Sequence, residues 1–172
     1  MEYPMGNIYL VGFMGTGKSA VGRQLAEKKE WQFIDLDNLI EMKQRMTIAD
    51  IFAKAGEAHF RRIEKKTLAE VSSEDNFVFA CGGGIVLDKE NVRIMKSTGK
   101  VVCLDATADV ILKRTRGTVH RPLLNVEDPR QRIDTLLKFR APFYAQADHT
   151  VDTSKLSIAQ VTDKILKWLK EK

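Results

Sequence analysis

The chain has 172 residues, enough for one domain with a sizeable core, and its composition of 44% hydrophobic and 30% charged residues is ordinary for a globular protein. No apolar run is long enough to span a membrane and the first residues do not form a signal peptide, so we expect a cytoplasmic protein without membrane contact. The net charge is +5, and the basic residues are scattered among acidic ones, which is typical of a solvated surface more than of a nucleic-acid-binding patch. Basic clusters that converge on one site would instead suggest a small anionic ligand such as a nucleotide.

Short apolar runs alternate with longer amphipathic segments along the chain. The predicted strands are Ile8–Val11, Gln32–Ile34, Phe77–Ala80, Val101–Leu104 and Thr150–Val151. The predicted helices are Lys18–Lys29, Asp37–Met42, Thr47–Ala55, Glu57–Val71, Lys89–Ser97, Ala108–Arg114, Pro129–Ala145 and Ser157–Lys170. This alternation is typical of βαβ units, and it predicts an α/β fold of three layers with a five-stranded parallel sheet flanked by helices. Ligands of such sheets bind beyond the carboxyl ends of the strands.

The helix boundaries carry capping residues, and one segment has no regular pattern. Thr47, Asp128 and Ser157 stand at expected N-cap positions, and Pro129 follows Asp128 at a first helical position. The basic segment from Thr115 to Asp128 lacks periodicity, and we expect a mobile lid over about residues 114–128. We find no repeat or linker, so residues 1–172 are predicted to form a single domain.

The stretch "GFMGTGKS" matches the phosphate-binding loop pattern G-x-x-x-x-G-K-[ST] at Gly12, Gly17, Lys18 and Ser19. It follows a predicted strand and opens a predicted helix, which is the context that the motif requires. Backbone N–H groups of such a loop surround phosphates, and the helix N-terminus adds its positive end. Lys18 is expected to reach the β- and γ-phosphates and Ser19 to hold Mg²⁺. The motif indicates a nucleoside triphosphate site but leaves the phosphoryl acceptor open.

Two carboxylates, Asp35 and Asp37, follow the second predicted strand in "FIDLDNLIE". Since this strand end is expected beside the phosphate loop, the pair could serve Mg²⁺ or a substrate hydroxyl. Asp37 could instead cap the helix that follows. The sequence alone does not decide between these interpretations.

The predicted helix Glu57–Val71 places a carboxylate, Glu64, on its apolar stripe. A carboxylate in such a position needs a partner, and Arg61, one turn earlier, can provide it, with Glu57 a further turn back. An arginine held by acids is preorganised to bind an anion through two hydrogen bonds. The alternative is an ordinary salt bridge on the helix surface, which contributes little.

Three glycines, Gly82, Gly83 and Gly84, follow the third predicted strand in "ACGGGIV". Glycine permits positive φ and close backbone approach, but it costs roughly 0.5–1 kcal/mol relative to alanine in folded structure. A triplet at this strand end therefore indicates that backbone must come close to a ligand. Cys81 before the triplet is interpreted as a small buried residue and not as a nucleophile. It and Cys103 form neither a metal motif nor a disulfide framework, which suits a reducing compartment.

With these motifs in order, the chain resembles the shikimate kinases. The matching pieces are "GFMGTGKS", "FIDLDNLIE", "IFAKAGEAHFRRIE", "CGGGIV", "RTRGTVHRPLL" and "FRAPFYAQADHTVDT", which span residues 8–153. The phosphate loop is shared by many families, whereas the combination of D-x-D, F-R-x-x-E, G-G-G, R-P-L-L and R-x-P-x-Y is far more specific.

The resemblance implies an acceptor site over about residues 35–65 and beyond. The residues that it places around shikimate are Asp37, Phe52, Phe60, Arg61, Gly82, Gly83, Gly84 and Arg140. It implies that Asp37 contacts the ring hydroxyls, including the reacting one, and that Arg61 and Arg140 grip the carboxylate. The two phenylalanines would form the aromatic side walls.

The resemblance also implies the nucleotide site and the catalytic roles. The residues that it places around ATP are Gly12, Gly15, Thr16, Gly17, Lys18, Ser19, Ala20, Arg114 and Arg121. Arg114 would pack against adenine, and Arg121 would close with the lid on the phosphates. The catalytic residues would be Lys18, Asp37 and Arg121, with Ser19 and Asp35 near Mg²⁺.

The implied activity is transfer of the γ-phosphoryl group of ATP to the 3-hydroxyl of shikimate, by a protein that is expected to be a monomer. The alternatives are a gluconate or nucleoside monophosphate kinase of similar fold, a regulatory nucleotide-binding module without transfer activity, and a nucleic-acid-binding protein. A regulatory module should lack the acceptor carboxylate or the lid arginine, but Asp37 and Arg121 are both present. A nucleic-acid-binding protein should show basic patches interleaved with aromatic residues, and none is evident.

Overall fold

The computed structural model of the chain describes residues 6–117 and 124–172. The predicted lid residue Arg121 and part of the predicted lid lie outside these ranges. The strands of the described residues are β1 Asn7–Val11, β2 Gln32–Asp35, β3 Phe77–Ala80, β4 Gly99–Asp105 and β5 His149–Asp152. Their helices are α1 Lys18–Lys29, α2 Leu36–Gln44, α3 Ile48–Val71, α4 Lys89–Thr98, α5 Ala108–Thr115, α6 Pro129–Tyr144 and α7 Ile158–Lys170.

The five strands form one parallel sheet in the order β2-β3-β1-β4-β5, which confirms the predicted architecture. Strand β1 is central and buried throughout, because β3 and β4 flank it and helices cover both of its faces. Its side chains alternate between two cores, as strand geometry requires. Tyr9 and Val11 join the core under α2, α3 and α4, whereas Ile8 and Leu10 join the core under α1 and α7.

Capping residues set the helix boundaries much as the sequence predicts. The side chains of Thr47, Asp128 and Ser157 accept hydrogen bonds from backbone N–H groups in the first turns of α3, α6 and α7. Ser157 also forms a reciprocal capping box with Gln160.

Three features differ from the prediction. The predicted helices Thr47–Ala55 and Glu57–Val71 are joined as α3, with a kink at Gly56 where φ is 82° and ψ is 169°. Only a glycine adopts that conformation readily, so the kink stays at the predicted break. A single turn of 3₁₀ helix, Ile85–Leu87, follows the glycine triplet. Strand β4 is longer than predicted, since it begins at Gly99, where no side chain is present to collide with Asn7 of β1.

Candidate active site

A cleft of about 750 Å³ lies beyond the carboxyl ends of the central strands. The phosphate loop, α2, α3, the glycine triplet and α6 all contribute to its walls. Its lining includes most of the residues singled out from the sequence: Gly15, Gly17, Lys18, Ser19, Ala20, Asp35, Asp37, Phe52, Phe60, Arg61, Gly82, Gly83, Gly84, Arg114 and Arg140. The fold therefore brings both predicted halves, nucleotide and acceptor, into one cavity.

The phosphate loop connects β1 to α1 and depends on left-handed backbone. Gly12, Gly15 and Gly17 have φ values of 134°, 79° and 96°. Gly17 is also the N-cap of α1, so the first N–H groups of this helix face the loop. The Nζ atom of Lys18 donates to the carbonyl oxygens of Gly12, at 2.7 Å, and Phe13, at 2.9 Å. The ammonium group thus lies across the loop, where it can meet phosphate oxygens.

Ser19 and Asp35 are in direct contact beside the loop. The Ser19 hydroxyl donates to Oδ2 of Asp35 at 2.7 Å, while Oδ1 accepts from the backbone N–H of Asn38 at 3.2 Å. Asp35, and not Asp37, is therefore the residue that caps α2. A hydroxyl and a carboxylate are oxygen ligands of the kind that Mg²⁺ takes together with substrate phosphates. Within residues 6–117 and 124–172, no group of three His, Cys, Asp or Glu residues is placed to hold a metal.

Asp37 lies in the first turn of α2 and faces the cleft with a buried oxygen. Its Oδ1 atom has no hydrogen-bond partner among the described residues. Burial, reinforced by the charge of Asp35, raises the pKa of Asp37 to about 6, although Lys18 and Arg61 oppose the shift. A buried carboxylate oxygen without a partner is available to accept a hydrogen bond from a ligand hydroxyl.

Arg61 and Glu64 form the predicted pair on α3. Nη1 of Arg61 donates to Oε1 of Glu64 at 2.9 Å, and Nη2 donates to Oε1 of Glu57 at 3.1 Å. Glu64 is only 1% exposed, so this is not the surface salt bridge of the alternative interpretation. Burial raises the pKa of Glu64 to about 7, because it outweighs the stabilising charge of Arg61. Arg61 is thus held with its charge toward the cleft.

Arg140 comes to the same place from α6 and is 3% exposed. Its Nε and Nη1 atoms have no hydrogen-bond partner among the described residues, and its guanidinium lies over the ring of Phe13 at 5.6 Å. Tyr144, one turn later, donates to the carbonyl oxygen of Gly83 at 2.5 Å. A buried guanidinium with unpaired N–H groups is a site for a carboxylate or phosphate.

The glycine triplet is the surface against which these side chains converge. A Cβ atom at position 82 would lie 2.9 Å from Oδ1 of Asp37 and 3.1 Å from Oε2 of Glu64. One at position 84 would lie 2.3 Å from Nη2 of Arg61, and one at position 83 would lie 3.1 Å from Nη1 of Arg140. None of the three glycines has φ in the left-handed region. Close approach, and not positive φ, is the reason for the triplet.

The remaining predicted residues have clear places. Phe52 and Phe60 form a tilted aromatic pair on α3, with centroids 5.1 Å apart, and both line the cleft. Cys81 is buried, and burial raises the pKa of its thiol, which agrees with the interpretation that it is not a nucleophile. Arg114 donates to the carbonyl oxygen of Gly15 at 3.2 Å and to Thr153.

Glu41 and Thr153 were not among the residues singled out from the sequence, although the structure places them in or beside the cleft. Glu41 lines the cleft and accepts a hydrogen bond from the backbone N–H of Ile48 at 2.9 Å, joining α2 to α3. Thr153 contacts the phosphate loop from the end of β5. The position of Thr153 beyond the carboxyl end of a strand was the signal that could have drawn attention to it.

Among the described helices, none combines the length and apolar character needed to cross a membrane.

Comparisons with known proteins agree with this geometry. The family model for shikimate kinase matches residues 14–170. The shikimate kinase of Thermodesulfovibrio yellowstonii is 44% identical over 163 residues, covering 95% of this chain and 94% of that protein. The structure of a shikimate kinase from Acinetobacter baumannii in complex with shikimate matches with a TM-score of 0.95 and 40% identity, covering 98% of this chain and 95% of the other.

The rival families of similar fold are more distant. A gluconokinase structure from Sinorhizobium meliloti matches with a TM-score of 0.60 and 19% identity, over 99% of this chain and 94% of the other. That likeness reflects the shared fold alone, whereas the family match and the identity above extend over nearly the whole chain. The chain belongs to the shikimate kinase family.

Proposed function

We propose that the protein transfers the γ-phosphoryl group of ATP to the 3-hydroxyl of shikimate, giving shikimate 3-phosphate and ADP. The observation that carries this proposal is the convergence of Asp37, Arg61 and Arg140 on the glycine triplet, beside the phosphate loop. Two guanidinium groups suit one carboxylate, and an unpaired carboxylate oxygen suits a hydroxyl. The A. baumannii relative, which binds shikimate, supports this choice of acceptor.

The phosphoryl transfer is expected to depend on positioning and charge more than on covalent chemistry. The transition state of such reactions is largely loose, with charge spread over the transferred group. Lys18 and the N-terminus of α1 would face this charge, and Arg121 is predicted to add a further positive group from the lid. Asp37 would orient the reacting hydroxyl and take its proton late in the transfer.

Ser19 and Asp35 are the residues that would hold Mg²⁺ with the nucleotide. The ion, when bound, would neutralise charge on the β- and γ-phosphates. The hydrogen bond between the Ser19 hydroxyl and the Asp35 carboxylate supports this assignment. Asp35 would act through a water molecule in this arrangement.

The acceptor is tested by measuring ADP release from MgATP in the presence of shikimate, gluconate or AMP. We expect turnover with shikimate alone. The Asp37→Asn variant keeps the shape of the side chain but removes the carboxylate, and we expect its kcat to fall by about 10²- to 10⁴-fold. Its affinity for ADP should match that of the unmodified protein, because Asp37 lies on the acceptor side of the cleft.

Two results would contradict the proposal. Comparable turnover with gluconate or AMP would exclude shikimate as the specific acceptor. Tight ATP binding without turnover on any acceptor would instead favour the regulatory module considered from the sequence. Analytical ultracentrifugation tests the further expectation that the protein is a monomer.

A further inference from the structure

The side chain of Thr153 lies where the phosphate loop, β4 and α5 meet. It follows the last residue of β5 and is 3% exposed. Its hydroxyl oxygen is 3.1 Å from the carbonyl oxygen of Thr16 in the phosphate loop and 3.0 Å from that of Asp105 at the end of β4. The same oxygen accepts a hydrogen bond from Nη1 of Arg114 at 3.0 Å.

The backbone of Thr153 is fixed as firmly as its side chain. Its N–H donates to the carbonyl oxygen of Asp105 at 2.8 Å, and its own carbonyl oxygen accepts from Nη2 of Arg114 at 3.0 Å and from the N–H of Leu156 at 3.3 Å. The hydroxyl therefore projects from an anchored point at the sheet edge and not from a free loop. A buried hydroxyl held in this way has little freedom to move with the phosphate loop.

The contacts of Arg114 and Thr153 fall on two consecutive peptide groups of the phosphate loop. Arg114 donates to the carbonyl oxygen of Gly15 at 3.2 Å, and Thr153 contacts that of Thr16. In a trans peptide unit the C=O and the following N–H point in opposite directions. Holding these two carbonyls on the Thr153 side therefore turns the N–H groups of Thr16 and Gly17 away from it. Those N–H groups belong to the loop that surrounds phosphates.

We propose that Thr153 is a positioning residue, which together with Arg114 fixes the peptide groups of the phosphate loop so that the N–H groups of Thr16 and Gly17 are ready for phosphate oxygens. The proposal deepens the proposed function, since it concerns the phosphate side of the same site. Thr153 itself touches neither nucleotide nor acceptor in this arrangement. Its effect passes through the backbone of the loop.

The test measures the binding of each ligand separately, so it does not depend on phosphoryl transfer to an acceptor. Calorimetry would give the affinities of the full-length protein for inorganic tripolyphosphate, adenosine and shikimate. Thr153→Val keeps the branched shape and removes only the hydroxyl, while Thr153→Ser keeps the hydroxyl. Thr150→Val is the matched control, because Thr150 is exposed on β5, three residues before Thr153.

We expect Thr153→Val to weaken tripolyphosphate binding by about 5- to 10-fold, the loss that one neutral hydrogen bond produces. Adenosine and shikimate affinities should stay within about 2-fold, and Thr153→Ser and Thr150→Val should bind tripolyphosphate as the unmodified protein does. Thermal unfolding would establish that each variant is folded. If Thr153→Val does not fold, Thr153→Ala removes the same hydroxyl and should weaken tripolyphosphate binding similarly.

Two results overturn the proposal. One is unchanged tripolyphosphate affinity in the folded Thr153→Val variant, or in Thr153→Ala where that variant replaces it. The other is an equal loss for adenosine and tripolyphosphate, which would mean that Thr153 supports the whole site and not the loop amides. Neither result depends on the identity of the acceptor, so a failure of the shikimate proposal would be seen separately.

Discussion

The phosphate loop and the glycine triplet both place glycines after a strand of the same sheet, but for different physical reasons. Gly12, Gly15 and Gly17 have φ values of 134°, 79° and 96°, which L-residues with side chains rarely adopt. The triplet has no such φ, and its glycines leave room for the side chains of Asp37, Glu64, Arg61 and Arg140. The nucleotide half of the cleft is thus built from backbone, whereas the acceptor half is built from side chains that pack against bare backbone.

This difference determines whether a substitution in each half should mainly reduce folding stability or mainly reduce ligand binding. A backbone site cannot yield to an added methyl group without moving the chain. A side-chain site can yield, because a guanidinium or carboxylate can rotate away, and it then loses binding before it loses folding. Four substitutions test this contrast.

The largest effect is expected from Gly12→Ala in the nucleotide half. A Cβ atom there would lie 2.1 Å from the carbonyl oxygen of Leu104 on β4, and φ would remain at 134°. Both the clash and the strain fall on backbone, so we expect the free energy of unfolding to drop by more than about 3 kcal/mol. Urea unfolding measures this, and a drop below about 1 kcal/mol would show that the loop is not rigidly packed on β4.

Arg140→Met removes a buried charge from the acceptor half but keeps a side chain of similar length. We expect the dissociation constant for shikimate to rise by about 10- to 100-fold, because hydrogen bonds to a charged group are lost. The melting temperature should change little, since an apolar side chain can replace a buried charge at small cost. Arg93→Met, on the exposed face of α4, is the control and should leave both values unchanged. Unchanged shikimate affinity in Arg140→Met would remove this arginine from the site.

Gly84→Ala adds in the acceptor half the same methyl group that Gly12→Ala adds in the nucleotide half. The new Cβ would lie 2.3 Å from Nη2 of Arg61, at the flexible end of a side chain, and φ at this position is −99°. We expect a folded protein whose shikimate affinity is about 10-fold weaker, because Arg61 must shift. ADP affinity should not change. If Gly84→Ala unfolds as readily as Gly12→Ala, the contrast between the two halves is wrong.

The smallest effect concerns pH and Glu64. Burial raises the pKa of this group from 4.5 to about 7, so the folded protein binds a proton more tightly than the unfolded chain does. The stability contributed by that proton is fully present below pH 4.5 and is lost as the pH rises to about 7. In Glu64→Gln this titration is absent. Urea unfolding of both proteins from pH 5 to pH 8 should therefore show the unmodified protein losing stability relative to the variant; parallel curves would contradict the shift.

The sequence predicted the phosphate loop between a strand and a helix because this motif is local. Gly12, Gly17, Lys18 and Ser19 are close in the chain, and the strand before them and the helix after them fix their geometry. The same holds for the pair of Arg61 and Glu64, which lie one helical turn apart. Alternation of strands and helices predicted the parallel sheet for a similar reason, since it reports a repeating local unit.

Local patterns did not decide which aspartate caps α2. The residue that caps α2 depends on where β2 ends. In the structure Asp35 is the N-cap, and Asp37 lies in the first turn with its side chain available to the cleft. Glycines are also used where the backbone needs a positive φ, but none of the triplet glycines has one. They are required because side chains from α2, α3 and α6 come too close to leave room for a Cβ atom. No spacing within the triplet contains that information.

The sequence by itself therefore determined the fold class, the phosphate loop and the family resemblance. Each depends on residues that are close together in the chain or that recur at regular spacing. The resemblance implied that Asp37, Arg61 and Arg140 share a site with the glycines. Only the tertiary structure decided how closely these side chains approach the bare backbone and that Thr153 contacts the phosphate loop. Thr16 and Thr153 are separated by 137 residues. They meet because β4 pairs with the central strand β1 on one side and with β5 on the other. Contacts of that kind depend on strand order, which arises from packing the whole sheet between its helices.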